Sequence, residues 1–464
     1  MPRSALWTPI SSIYLHSFTG PGNRSRPCAC APLAHKIHDH ATPGYNSVGD
    51  KKLEPSAAIA LAKHVLLSIA IILAAGTFSG LLAKKLKVPD VVVSLLVGML
   101  LGPELAGILT VKVETALNQF VLIFGACYIL FDGGASLRFS VLKEVWITIV
   151  VIATFGVLIT GAITSLAAYY VLGIPFMVAL LLGATIASTD PATLVPVFRQ
   201  IKIKQRVAAT VISESAFNDA VGAIATFAVL GVAMGTSEFS VQASLVNLFK
   251  ECFFGVLVGA IFGYLAALLI SHEKFDFLSE YGPIVSLVAV IGAYLTADYL
   301  HASGFMAVFV LGLVFGNKES FGFKVQPDEQ KNLEEFVMTT ALVMRIFIFM
   351  LLGAQVDFSL LNEHLVGGIA VVTVFMLVAR PLTVFLCALP DRRAKWTFNE
   401  MLFMCWTRET GVIPGALAGV LVGMQAPGAR IIGSITFIAI LMTILIQVTT
   451  TKWFASKLGL LVKE

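Results

Sequence analysis

The chain has 464 residues, of which 57% are hydrophobic and only 13% are charged, and its formal net charge is +4. Soluble domains carry about 25% charged residues, so the composition excludes an ordinary soluble protein and is typical of a polytopic membrane protein. The small positive charge is explained by the loops between the predicted membrane spans, and it gives no reason to expect a nucleic-acid partner.

Residues 1–55 differ in composition from the rest of the chain. They are rich in Pro, Ser, Gly, His and Arg, contain no acidic residue before Asp39, and lack an apolar stretch long enough for a secretory signal. We expect this segment to be disordered, although its basic, acid-free beginning also suits a transit peptide or an overlong start-codon assignment. Its role is left open, and a transmembrane domain is predicted over residues 56–464.

Apolar windows of the length needed to cross a membrane, about 20 residues, follow one another from Ala57 onward. They predict an all-α membrane protein with about thirteen transmembrane helices. We number these windows as spans 1 to 13, at 57–83, 89–105, 114–132, 145–172, 175–196, 206–234, 246–271, 280–300, 302–317, 333–356, 365–389, 398–424 and 430–455.

The distribution of Lys and Arg predicts the orientation of these spans. The loops after odd-numbered spans are rich in both residues, whereas the opposite side carries Lys63, Lys112, Lys250 and Arg430. Short loops that are rich in Lys and Arg stay on the cytoplasmic side. The sequence therefore predicts an odd number of spans, with the start of span 1 outside and the C-terminus in the cytoplasm.

An internal repeat relates the two halves of the chain. The segment GASLRFSVL at 134–142 matches GAQVDFSLL at 353–361 with an offset of 219, and VGMLLG at 97–102 matches LGLVFG at 311–316 with an offset of 214. Both matches connect a span to the one seven later, so the second copy runs in the opposite direction across the membrane. Inverted repeats are frequent in secondary transporters, whose binding sites lie near the midplane at discontinuous helices.

Two spans contain charge together with Pro or Gly, in ASTDPAT of span 5 and WTRETGVIP of span 12. These residues disfavour continuous helix, so we predict broken helices in spans 5 and 12 that face each other across the pseudo-twofold axis. The offset of 219 aligns Thr189 and Asp190 with Arg408 and Glu409. Because half-helix ends carry partial charges, Asp190 and Arg408 are predicted to neutralise them.

The stretch SESAFNDAVGAI at 213–224 places Glu214 and Asp219 in an otherwise apolar span. A charged residue at a helix centre costs about 2.5 to 3.5 kcal/mol on insertion scales, so each must be paired, hydrated or functional. Arg380 is alone in the apolar sequence VFMLVARPLTVF. We predict a structural ion pair between Glu214 and Arg380. Arg345 has no partner that the sequence identifies; Glu409 or another carboxylate is a candidate, and a structural role is expected.

The sequence offers no obvious basic partner for Asp219, which is therefore the predicted functional group. A carboxylate that holds either a proton or a monovalent cation, but not both, is sufficient to couple two fluxes in opposite directions. Further oxygen ligands are expected from Ser215, from Thr189 at the break in span 5 and from Asp132 at the cytoplasmic end of span 3, although Asp132 could instead be a solvated loop residue.

The motifs GATIASTDPATLVPVF and SESAFNDAVG together resemble the electroneutral branch of the cation:proton antiporters, the family that includes the sodium/hydrogen exchangers. The resemblance covers roughly residues 57 to 460. It implies that Asp219 carries the ion and the proton, that Asn218 is its neutral neighbour, and that Ser215, Thr189 and Asp132 are accessory ligands.

The same resemblance implies a bridge between Glu214 and Arg380, and Asp190 and Arg408 at the helix crossing. Asn218, in place of the second aspartate of the electrogenic branch, implies one-for-one exchange. A homodimer is also implied, with spans 1–3 and 8–10 as the dimer scaffold and spans 4–6 and 11–13 as the moving core. The chain departs from the family's glycine-rich tract at Glu409, which is an additional acid next to the break.

We therefore expect an electroneutral antiporter that exchanges Na⁺ for H⁺ in the plasma (inner) membrane, with no cofactor. Exchange of K⁺ for H⁺ by the same fold is the nearest alternative, and a gated channel or sensor is a further one. Enzyme activity is not expected, because no HExxH, paired-aspartate or serine–base motif occurs. The spacing of the six cysteines suggests neither a disulfide framework nor a metal site. The preferred cation among Na⁺, K⁺ and Li⁺, the direction of transport and the pH set point are left open.

Overall fold

The computed structural model of the protein describes residues 55–86, 88–111, 115–189, 197–198, 201–235, 241–271, 278 and 280–462. The prediction of disorder for the N-terminal segment and the predicted role of Asp190 lie outside these residues.

Helices make up most of the described chain. In order they are α1 (Pro55–Leu86), α2 (Asp90–Leu101), α3 (Ala116–Ala135), α4 (Phe139–Leu172), α5 (Phe176–Ile186), α6 (Gln205–Ala233), α7 (Val241–Leu269), α8 (Gly282–Tyr299), α9 (Gly304–Gly316), α10 (Pro327–Ala354), α11 (Leu365–Ala388), α12 (Phe398–Trp406), α13 (Val412–Gly423) and α14 (Ala429–Lys457). Short helices Lys318–Phe321 and Phe358–Glu363 lie in connections.

The apolar helices follow the predicted spans in order. Among the described residues, nine helices are long and apolar enough to cross a membrane, and four shorter apolar helices lie in spans 2, 5, 9 and 12. Each occupies one predicted window, so the polytopic all-α class is confirmed. The number of thirteen crossings stays a prediction, because helix length and composition do not show where a membrane lies.

The inverted repeat is visible in the packing of glycines against backbone. A Cβ atom added to Gly98 of α2 would overlap the carbonyl oxygen of Met350 in α10, and one added to Gly312 of α9 would overlap that of Phe131 in α3. The glycines are 214 residues apart and their partners 219 apart, which are the two offsets found in the sequence. Two further pairs of contacts have the same offsets. Gly353 packs on the backbone of Leu95 as Gly134 packs on that of Phe309, and Gly102 packs on Ala354 as Gly316 packs on Ala135.

These contacts form two equivalent seams, α2 against α10 and α9 against α3. A substitution of Gly312 by Ala would force the α9 and α3 backbones apart, and overpacking of this kind costs about 1 to 3 kcal/mol. We expect Gly312→Ala to lower the thermal unfolding midpoint of the purified protein in detergent.

Gly80 in α1 is the matched control for this prediction. A Cβ atom at Gly80 meets nothing within 4 Å, and alanine favours helix over glycine by up to about 1 kcal/mol. Gly80→Ala should therefore leave the midpoint unchanged or raise it. Equal midpoints for the two variants would show that the seam tolerates a methyl group.

Helices α4 and α11 contain equivalent irregularities. Each includes one π-helical segment, Ile152–Gly156 in α4 and Phe375–Ala379 in α11, which are 223 residues apart. At the same offset, the hydroxyl groups of Thr160 and Thr383 are hydrogen-bonded to each other at 2.8 Å. Equivalent residues of two repeats meet only beside the axis that relates them, so this pair marks the pseudo-twofold axis.

Candidate functional site

The first part of the site lies where α5 ends. Helix α5 stops at Ile186, and the next three residues leave the helix. The backbone N–H of Thr189 donates to Asn218 Oδ1 at 3.0 Å, and Asn218 Nδ2 donates to Thr189 Oγ1 at 2.8 Å. Thr189 Oγ1 donates in turn to Ser215 Oγ at 2.9 Å. The Asn218 side chain of α6 thus satisfies the backbone N–H of Thr189, which has no helical partner beyond the end of α5.

Asp219 is fully buried next to this cluster. It follows Asn218 in α6 and lies four residues after Ser215, so it shares a helix face with that hydroxyl. Helix α6 packs tightly on the break, since a Cβ atom added to Gly222 would lie 2.9 Å from Ser188. The structure therefore gathers Thr189, Ser215, Asn218 and Asp219 in one buried, oxygen-rich place.

Asp132 lies on another helix, α3, where it is 8% exposed. It is one turn from Tyr128 and within electrostatic range of that side chain, and α3 also contacts α6. Its burial excludes the solvated-loop interpretation, whereas its role as a ligand stays a prediction.

Glu214 and Arg380 form the buried contact that the sequence predicts. Arg380 Nη1 donates to Glu214 Oε1 at 2.5 Å and Nη2 donates to Oε2 at 2.8 Å, while Nε donates to the carbonyl oxygen of Met404 at 2.9 Å. Both charged side chains are only 1% exposed. Arg380 directly follows the π-helical segment of α11, and it ties α11 to α6 and α12.

The second broken helix is span 12, in which residues 407–411 separate α12 from α13. Arg408 Nη2 donates a hydrogen bond to the carbonyl oxygen of Ala187, just beyond the end of α5, and its guanidinium lies 5.1 Å from the ring centroid of Phe375. A cation at a helix C-terminus is favourable. The end of α5 and the break in span 12 therefore meet, and Arg408 lies between them.

The hydrogen bonds of the break in span 12 correct its predicted alignment with the break in span 5. The N–H of Thr410 donates to Thr443 Oγ1 of α14 at 3.1 Å, as that of Thr189 does to Asn218 of α6. Thr410 is therefore the counterpart of Thr189, and the alignment of Thr189 with Arg408 is wrong by two residues. Glu409, immediately before Thr410, is fully buried.

Arg345 pairs with a residue that the sequence analysis missed. Its Nη2 atom lies 2.9 Å from Asp90 Oδ2, so Asp90, rather than Glu409, is the acid at this arginine. Asp90 is the first residue of α2, and an acid at the first turn of an apolar helix was the available signal.

Two cavities lie at equivalent places on opposite faces of the molecule. One, of about 490 Å³, opens toward the predicted outer face between α10, α13 and α14. The other, of about 180 Å³, opens toward the predicted cytoplasmic face between the α3–α4 connection and α6. Four lining positions correspond at an offset of 225: Gln205 with Arg430, Ala208 with Gly433, Ala209 with Ser434, and Ile212 with Phe437. The larger cavity is the outer one.

Comparisons with known proteins agree with this architecture. Residues 69–457 match the model of the transmembrane sodium/hydrogen exchanger family. Na(+)/H(+) antiporter 1 of Methanocaldococcus jannaschii is 31% identical over 422 residues, 84% of this chain and 95% of that protein. The K(+)/H(+) antiporter NhaP of Alkalimonas amylolytica is 28% identical over 372 residues, 79% of this chain and 62% of that protein.

The fold is similar to that of a solved antiporter. The structure of the sodium proton antiporter MjNhaP1 from Methanocaldococcus jannaschii at pH 8 superposes with a TM-score of 0.68 and 28% sequence identity, covering 85% of this chain and 99% of that one. The apolar helices and these relatives show an integral membrane protein. Because the family model matches most of the chain, the protein belongs to the sodium/hydrogen exchanger family.

Proposed function

We propose that this protein exchanges Na⁺ for H⁺ across a membrane by secondary active antiport, with Asp219 as the group that carries either ion. The observation that supports this most directly is the buried Asp219 beside the hydrogen-bonded Thr189, Ser215 and Asn218 at the end of broken span 5. The Na(+)/H(+) antiporter of Methanocaldococcus jannaschii, 31% identical to this chain, supports Na⁺ as the cation.

Competition at Asp219 couples the two fluxes. The ionised carboxylate binds a dehydrated cation, for which the Ser215 and Thr189 hydroxyl oxygens and the Asp132 carboxylate supply further ligands. A proton on Asp219 removes the negative charge and releases the cation. Asn218 holds Thr189 in place and stays neutral, so one charge enters for each charge that leaves. The exchange is therefore electroneutral in this proposal.

The two cavities support alternating access. The inverted repeat places equivalent cavities on opposite faces, and the outer one is the larger. Movement of the core, spans 4–6 and 11–13, against the scaffold, spans 1–3 and 8–10, would close one cavity and open the other. The glycine seams lie within the scaffold group, whose close packing suits a rigid frame. We further propose that the homodimer contact lies on the scaffold and that the protein resides in the plasma (inner) membrane. In this orientation span 1 starts outside and the C-terminus lies in the cytoplasm.

Exchange of K⁺ for H⁺ is the second candidate. It is favoured by the K(+)/H(+) antiporter of Alkalimonas amylolytica, which is 28% identical to this chain. Both ions use oxygen ligands, so the same residues would serve, and the size of the dehydrated ion would decide between them.

Proton flux into proteoliposomes tests the proposal. With a pH gradient across the membrane, we expect Na⁺ or Li⁺ to drive saturable proton movement, and K⁺ to drive much less. Flux should run uphill against one ion on the gradient of the other, and a voltage-clamped membrane should carry no proportional current. Unsaturable downhill flux would indicate a channel, and dependence on K⁺ alone would select the second candidate.

A further inference from the structure

We propose that the break in span 12 carries a second cation-binding site, formed by Glu409, Thr410 and Gln447 and reached from the outer cavity past Thr436. The site shares no residue with the Asp219 cluster, and it rests on the proposed function only for the identity of the ion, Na⁺.

Two contacts place Gln447 opposite the non-helical stretch. On α14, Thr443 accepts the N–H of Thr410 at 3.1 Å, and Thr450 accepts the indole N–H of Trp406 at 2.9 Å. Gln447 lies between these two residues, one turn after Thr443 and within the π-helical segment Thr443–Val448. Its side chain therefore faces residues 407–411, and π-helical segments occur frequently at functional sites.

Three side-chain atoms of Thr410 and Gln447 lack hydrogen-bond partners within the chain that the structure describes. The hydroxyl of Thr410 and both the amide nitrogen and the amide oxygen of Gln447 are buried without a hydrogen bond, and both residues are 0% exposed. Leaving a buried polar group unsatisfied costs about 1 to 3 kcal/mol. Such groups in proteins usually bind ordered water or an ion, so these atoms indicate a ligand.

Glu409 supplies the charge that selects a cation. It precedes Thr410, is fully buried, and lies within electrostatic range of Arg380. A carboxylate, a hydroxyl and an amide oxygen at an unwound helix are suitable ligands for Na⁺.

A polar stripe on α14 leads from this place toward the outer cavity. Thr436 lines the outer cavity, and its own hydroxyl is buried with no hydrogen bond among the described residues. Thr436, Thr443 and Gln447 are separated by seven and four residues, so they share one helix face. A cation from the outer cavity would pass Thr436 to reach Glu409, and its charge would act where the two broken helices cross.

Thermal unfolding of the purified full chain in NaCl, compared with choline chloride of equal concentration, tests the inference. We expect Asp219→Asn to retain part of the Na⁺-dependent rise in the unfolding midpoint, and Asp219→Asn combined with Glu409→Gln to lose it. If Asp219→Asn alone removes the whole rise, the second site is overturned while the proposed function stands. If Glu409→Gln alone removes it and Asp219→Asn does not, the Asp219 assignment fails instead.

Gln447→Leu keeps the inference testable if variants at Glu409 fold poorly. In a dry pocket, this change removes an unpartnered amide and should raise the midpoint equally in both salts, which would overturn the site. At an ion site, it should raise the Na⁺ concentration for half-maximal stabilisation about tenfold in the Asp219→Asn background. Thr164→Val is the matched control, because that buried hydroxyl bonds to Thr160 of its own helix and should leave the Na⁺ dependence unchanged.

Discussion

Asp219→Asn is expected to reduce cation-dependent proton flux in proteoliposomes to the level of empty vesicles. The amide has nearly the size of the carboxylate, so the packing around Ser215 and Asn218 is retained. It has no charge to attract a dehydrated cation and no proton to exchange, and both half-reactions stop. The measurement is the initial rate of proton movement after addition of Na⁺ at a fixed pH gradient.

Asp391→Asn is the matched control for this loss. Asp391 is also buried, at 7% exposure, but it lies in the connection after α11, where it accepts hydrogen bonds from Thr148 and from the N–H groups of Arg393 and Ala394. We expect its flux to remain near that of the natural chain. If Asp219→Asn transports as well as Asp391→Asn does, another group carries the ion.

Arg380→Leu is expected to destabilise the protein by about 3 to 5 kcal/mol, the usual cost of removing one partner of a buried ion pair. The change leaves the Glu214 carboxylate buried without its two hydrogen bonds and frees the carbonyl oxygen of Met404. The expected results are a lower yield of folded protein and a lower unfolding midpoint in detergent.

A double variant separates the loss of charge pairing from the loss of volume. Glu214→Gln combined with Arg380→Leu removes both charges, so much of the stability lost in Arg380→Leu should return. Arg380→Lys should be intermediate, because an ammonium cannot form the two parallel bonds to the carboxylate. A double variant less stable than Arg380→Leu would mean that Glu214 tolerates burial without its partner.

The sequence predicted the features that depend on strong constraints. Charges within an apolar span must be paired, and this led from Glu214 to Arg380. Close helix packing requires glycine, so the repeat can be recognised in the sequence at Gly98 and Gly312. Their backbone contacts have the offsets found in the sequence. These constraints act on residue type, and residue type is what a sequence contains.

Other features depend on geometry that residue types do not encode. The sequence aligns Thr189 with Arg408, two residues before its structural counterpart Thr410. The cause is that small differences in connection length between the repeats shift the positions that follow. Asp90 was missed as the partner of Arg345, since an acid at a helix start is favourable near the positive helix end even without an ion pair. The unpartnered amide of Gln447 is visible only once α14 is placed against the break.

The hydrogen bond between Thr160 and Thr383 bears on how the two halves arose. If a single ancestral half assembled as an antiparallel pair, the residue on its twofold axis would have faced its own copy. A hydroxyl suits this position because it donates and accepts at once, whereas a carboxylate or a guanidinium would have met a like charge. Gene duplication and fusion would then leave the axis nearly unchanged, while away from it each copy could diverge into an acid, a base or an amide.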